Sequence, residues 1–125
     1  MDLRVQIIVA LMRDDLRRER SLDELARRVS LSRSRFQHLF KAETGTSPAH
    51  YLRDLRLDRA RELLETSLLS IKQVMAGVGI SDKSHFVREF KKAYGLTPTQ
   101  YRAAHPLTGF AKNDHERQTA KTATK

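Results

Sequence analysis

Residues 34–51 read SRFQHLFKAETGTSPAHY, and residues 84–101 read SHFVREFKKAYGLTPTQY. At a shift of fifty, Ser34, Phe36, Phe40, Lys41, Gly45, Pro48 and Tyr51 fall on Ser84, Phe86, Phe90, Lys91, Gly95, Pro98 and Tyr101, and Ser47 meets Thr97. Seven identities in eighteen positions far exceed the roughly one that ordinary residue usage gives. Upstream the match continues at a shift of forty-nine, pairing Leu22, Leu25, Ser30, Leu31 and Ser32 with Ile71, Val74, Gly79, Ile80 and Ser81. The second copy therefore holds one extra residue between Ser81 and Phe86, at the start of a helix where a cap can absorb it.

Each copy reads as helix, tight turn, helix. Ser21 with Glu24 and Ser70 with Gln73 have the spacing of capping boxes, in which the hydroxyl accepts an early amide and the partner reaches back. The second helices are expected over about 32–44 and 82–94, ended by Gly45 and Gly95 in the left-handed position that terminates a helix. Ser47-Pro48 and Thr97-Pro98 restart helix with a hydroxyl cap and a proline in the first turn. Nothing alternates with period two, so the expected fold class is all-α.

On the second helices, a rotation of about 100° per residue separates two faces. Phe36, Leu39 and Phe40 in one copy, and Phe86 and Phe90 in the other, form the expected core side. Ser34, Gln37, His38 and Lys41 project outward, as do Ser84, Val87, Arg88 and Lys91. A polar face on one helix is ordinarily solvated surface. Here it recurs at a fixed period with side chains that can reach base edges or phosphates.

Residues 48–65 read as one helix of about eighteen residues, some 27 Å long. Tyr51, Leu52 and Leu55 point one way, while Leu57, Ala60, Leu63 and Leu64 centre roughly 140° around the axis. Its first half is expected to pack on module one and its second on module two. Such a strut could hold two outward helices about one DNA turn apart, roughly 34 Å. Arg53, Arg56, Arg59 and Arg61 alternate with Asp54, Asp58 and Glu62, the pattern of intrahelical ion pairs. A leading helix over 3–18 carries Leu3, Ile7, Leu11 and Val5, Ile8, Met12 as apolar faces that cover the first module. The organisation is thus module one over about 3–46, a linker helix over about 48–65 and module two over about 70–105. The polar residues 106–125 form an expected mobile tail.

Composition narrows the chemistry. The 125 residues carry 24 Lys plus Arg against 15 Asp plus Glu, a formal +9. Residues 1–50 hold ten basic and seven acidic side chains, 51–105 ten and six, and the last twenty four and two. The excess is dispersed, so it asks for an anionic partner without naming a patch: nucleic acid first, an anionic membrane surface second. No segment sets a lysine-rich face against Trp or Phe, and Trp is absent, so no membrane partner is expected. With no cysteine, disulfides, thiolate zinc sites and a cysteine nucleophile are excluded. His38, His50, His85, His105 and His115 make no i, i+4 metal pair and no HExxH motif, and no glycine-rich phosphate loop is present. No enzyme activity, metal or cofactor is expected.

Ile71-x-x-Val74, Gly79-Ile80-Ser81, Phe86-x-x-x-Phe90-Lys91, Gly95, Thr97-Pro98-x-x-Tyr101-Arg102, with Arg56-Leu57, Ala60 and Leu63-Leu64 in the linker, resemble the DNA-binding domain of the AraC/XylS family of bacterial transcription regulators. The resemblance covers about residues 5–104. Two positions depart from it: Met75 stands where the family usually has alanine, and Ile80 where phenylalanine is common. Both are apolar, so local repacking of the second module is expected.

The resemblance implies about seven helices in two helix-turn-helix modules joined by a central helix, binding double-stranded DNA in the cytoplasm with a reading helix from each module in successive major grooves. Carried over by position, the contacts are Arg33, Ser34, Gln37, His38 and Lys41 in module one. In module two they are Lys83, Ser84, His85, Val87, Arg88 and Lys91. Members often carry a separate effector or dimerisation domain. For these residues alone a monomer is implied, with RNA polymerase as a further partner and any dimerisation through a domain outside them. A helical module that docks on transcription machinery without reading sequence is the competing reading; it needs only one outward face, whereas DNA reading needs both.

Overall fold

A computed structural model describes residues 1–107. Among them run seven helices and no strand: α1 Leu3–Asp14, α2 Leu22–Arg28, α3 Arg33–Thr44, α4 Pro48–Thr66, α5 Ile71–Val78, α6 Lys83–Tyr94 and α7 Pro98–Ala104. Each opens on a short polar side chain that accepts an amide of the first turn: Asp2, Ser21, Ser32, Ser47, Ser70, Asp82 and Thr97. Such caps satisfy donors that an unaided helix start leaves open. Gly45 and Gly95 end α3 and α6 with φ of 83° and 85°, each donating its amide to the carbonyl four residues back, Lys41 and Lys91. The expected tail falls at 106–125, and its residues 108–125 lie outside the described ones.

The chain divides into two units, Met1–Leu57 and Asp58 onward. In the first, Val5, Ile8 and Met12 of α1 pack with Leu25, Ala26, Val29, Phe36 and Phe40, and Tyr51, Leu52 and Leu55 of α4 lean on that cluster. In the second, Ala60, Leu64, Val74, Met75, Val78, Phe86, Phe90 and Tyr101 are buried. The repeat extends to ring geometry. Phe36–Phe40 and Phe86–Phe90 centroids both stand 5.7 Å apart, at 60° and 63°, and Phe40–Tyr51 and Phe90–Tyr101 stand 5.4 and 5.5 Å apart edge to face. Edge-on pairs at this spacing add a favourable quadrupole term to the apolar area they bury. Met75 occupies the buried place of the second unit that Ala26 holds in the first, and Ile80 is half-buried.

Several local expectations change. The helix expected over 3–18 stops at Asp14, because the Asp15 carboxylate accepts the Arg17 amide at 3.1 Å and turns the chain. Of its two apolar faces one packs in full, with Val5, Ile8 and Met12 buried, whereas the other packs only through half-buried Leu11 and leaves Leu3 and Ile7 exposed. The box at Ser21 is half made. Ser21 accepts the Glu24 amide at 3.0 Å, but the Glu24 carboxylate is held by Arg18 at 3.1 Å instead of reaching back. Both full boxes belong to the second unit, at Ser70–Gln73 and Thr97–Gln100. The extra residue of the second copy is taken up ahead of α6. Ile80 and Ser81 precede its cap Asp82, where Leu31 alone precedes Ser32.

Candidate nucleic-acid interface

Two capped helices of twelve residues, α3 and α6, carry the positions singled out by the repeat. Their inner faces are fixed by Phe36, Phe40, Phe86 and Phe90, all 0–1% exposed, and this anchoring decides what faces outward. On α3, Arg33, Ser34, Gln37, His38 and Lys41 are all exposed. On α6, Lys83, Ser84, Arg88 and Lys91 are exposed, while His85 and Val87 are half-buried. Val87 lies about 60° nearer the phenylalanine side than Ser84 does, so only part of it is offered outward. Two further cations share these faces and were not marked by the motif. Arg35 is exposed at the place His85 holds in the second copy, and Lys92 is exposed roughly 40° around from Arg88. The helical wheel alone signals both.

Charges around the faces are arranged differently from those on the linker. Arg33 has one carboxylate nearby, Asp23 at 3.7 Å with both side chains largely in solvent, a contact worth little against a phosphate. On α4, Arg59 pairs with Glu62 at 3.1 Å, and Arg61 pairs with Glu65 at 3.1 Å and Asp58 at 3.7 Å. These are the intrahelical pairs expected. Arg56 is not one of them: its Nε donates to the Leu16 carbonyl and its Nη2 to Glu19, both at 2.7 Å, and it is 12% exposed. It ties the 15–21 segment to α4.

Within the second unit, polar bonds lock α6 and α7 against the end of α4. The Tyr94 hydroxyl donates to Asp58 at 2.6 Å and the Tyr101 hydroxyl donates to Glu65. Burial holds both phenols above their ordinary range, and the donated bonds push the same way. Arg102 donates to the carbonyls of Leu64, Ser67 and Leu69, closing the open end of α4. A helix held by buried rings on one side and such bonds on another presents its outer face on a rigid support.

The profile of a helix-turn-helix domain family matches residues 25–104. The chain belongs to the AraC/XylS-type helix-turn-helix family. Among AraC/XylS-type relatives, the transcriptional regulator GbdR of Pseudomonas aeruginosa is 38% identical over 104 residues, 83% of this chain and 28% of that protein. The chain thus spans somewhat over a quarter of that curated relative's length. A solved AraC-type transcriptional regulator from Chromobacterium violaceum superposes with a TM-score of 0.76 at 34% identity, over 85% of this chain and 95% of its own. The DNA-binding domain of AdpA, solved in complex with a target DNA, gives 0.74 at 31% identity, over 80% and 90%. Among the described residues no helix is long and apolar enough to cross a membrane, and no group of three His, Cys, Asp or Glu could hold a metal ion.

Proposed function

We propose that this domain binds double-stranded DNA sequence-specifically within a bacterial transcription regulator of the cytoplasm, with α3 and α6 reading successive major grooves. The observation that carries this reading is the duplicated outward face. Two helices at a period of fifty present Arg33, Ser34, Gln37, His38 and Lys41, and Lys83, Ser84, His85, Arg88 and Lys91, on equivalent phenylalanine anchors. A docking module has no need of the second copy. The likeness to a DNA-binding domain solved with its target supports the same reading.

Side-chain chemistry divides the labour. Arg88 suits guanine O6 and N7 bidentately, Gln37 suits adenine N6 and N7, and the exposed part of Val87 suits a thymine methyl. Ser34, Ser84, His38 and His85 supply short or adaptable polar contacts. Arg33, Lys41, Lys83 and Lys91 serve phosphates, fixing register without reading sequence. α4 is nineteen residues long, about 28 Å, and belongs half to each unit. The domain acts as a monomer on a two-part site, with RNA polymerase as its protein partner.

Arg88→Ala is expected to weaken the preferred duplex by about 1–3 kcal/mol and to relax preference at one base pair, measured by competition against single-position variants of the site. Gln37→Ala should relax a different base pair, about ten base pairs away. A uniform loss on all duplexes from both substitutions would reduce these residues to backbone contacts and overturn the assignment.

A further inference from the structure

On the flank of α3, beside its outward face, Arg4, Leu31, Arg35, His38 and Leu39 line an open cavity of about 220 Å³. Leu31 and Leu39 are half-buried and form apolar wall, while Arg4, Arg35 and His38 are exposed. Arg4 comes from the first turn of α1, which Val5 and Ile8 seat in the same core as Phe36 and Phe40. Its guanidinium is held in place: Asp2 accepts from Nε at 3.2 Å and from Nη2 at 3.1 Å, and also caps α1 through the Arg4 amide at 2.8 Å. The Arg4 pair holds the Asp2 carboxyl below its ordinary range. Asp2 thus fixes the orientation of the Arg4 fork while occupying two of its nitrogens.

Position and charge identify the occupant. Around α3, Arg35 lies roughly 60° and Leu39 roughly 100° from His38, away from the centre of the reading face. A group at that flank of a helix seated in the major groove meets the sugar–phosphate backbone, not base edges. Two arginines beside an apolar wall, with a histidine as a further hydrogen-bonding group, suit a phosphate, whose oxygens match the guanidinium fork. The second copy does not repeat the arrangement: Ile80 keeps the apolar place of Leu31, but His85 and Glu89 stand where Arg35 and Leu39 stand in the first.

Building on the DNA-binding reading above, we infer that Arg4 and Arg35, with His38, form a backbone-phosphate clamp that joins the leading helix α1 to the DNA contact of the first unit. The clamp anchors that unit on the duplex without reading sequence, and the second unit lacks it.

The test is the salt dependence of affinity for a selected duplex, in the full 125-residue chain, for wild type, Arg4→Ala, Arg35→Ala and a charge-matched control, Arg13→Ala, in the last turn of α1. Far-UV circular dichroism checks that each variant keeps its helices. Loss of one phosphate contact lowers the slope of log K against log salt by about one. Arg4→Ala and Arg35→Ala should each do so, weakening preferred and unrelated duplexes by the same factor, while Arg13→Ala leaves the slope unchanged. A slope that survives both substitutions overturns the clamp, as does an equal fall from Arg13→Ala, which would report net charge alone. A wild-type chain without preference among duplexes would instead refute the DNA-reading proposal on which the clamp rests.

Discussion

Ser30 and Gly79 occupy one position of the repeated turn, and both adopt left-handed backbone, with φ of 57° and 84°. In each copy the next residue donates to the carbonyl five back, Leu31 to Ala26 at 3.0 Å and Ile80 to Met75 at 2.9 Å, so the turn is the same and only the residue differs. A side chain in this region carries a steric cost that glycine escapes. Ser30→Gly is therefore expected to raise stability by about 0.5–1 kcal/mol, and Gly79→Ser to lower it by about 1–2 kcal/mol. Urea unfolding with an unchanged m-value would check both, and a destabilised Ser30→Gly would contradict the strain argument. The equivalence was legible from the sequence, which already set Ser30 against Gly79. The left-handed geometry at Ser30 was not, because serine gives no local signal for it. The same holds at Val87 and His85, where the rotation of α6 on its phenylalanines decides how much of each is covered.

At the scale of elements, what could be read was periodic or local. Caps at Ser21, Ser47, Ser70 and Thr97, and stops at Gly45 and Gly95, follow from spacing within one turn. What escaped were bonds between residues far apart in sequence: Tyr94 with Asp58, Tyr101 with Glu65, Arg56 with the Leu16 carbonyl, and Arg102 with the carbonyls that follow α4. A charged residue on a helix has an intrahelical partner as its default, and only tertiary packing reveals that Arg56 and Arg102 have others. Arg102 is the most exacting case, since three carbonyls of the α4 terminus and the segment after it depend on one guanidinium. Arg102→Ala should lower stability by about 1–3 kcal/mol, read as a fall in the thermal midpoint. If Arg102→Lys restores that midpoint in full, a point charge suffices and the fork geometry is not what matters.

Across the whole molecule, most of the +9 charge, seven of the nine, divides between two related halves, and it gains meaning from how the outward helices are built. Net charge alone produces salt-sensitive binding to any polyanion. On the proposed reading, two anchored faces carrying Gln37 and Arg88 among lysines and arginines instead discriminate between sequences. The family was legible because fifty-residue self-similarity, glycine stops and the Thr-Pro restart all fall within one sequence. The separate grip of Arg4 and Arg35 on module one was not, because it brings together the first turn of α1 and the side of α3. The most direct measurement is selection of bound duplexes from a random pool with the 125-residue chain at fixed salt. An asymmetric site with two conserved blocks about ten base pairs apart, one changed by Gln37→Ala and the other by Arg88→Ala, is the predicted result. A pool with no enriched sequence, or a single short block insensitive to one of the two substitutions, would contradict reading by both modules.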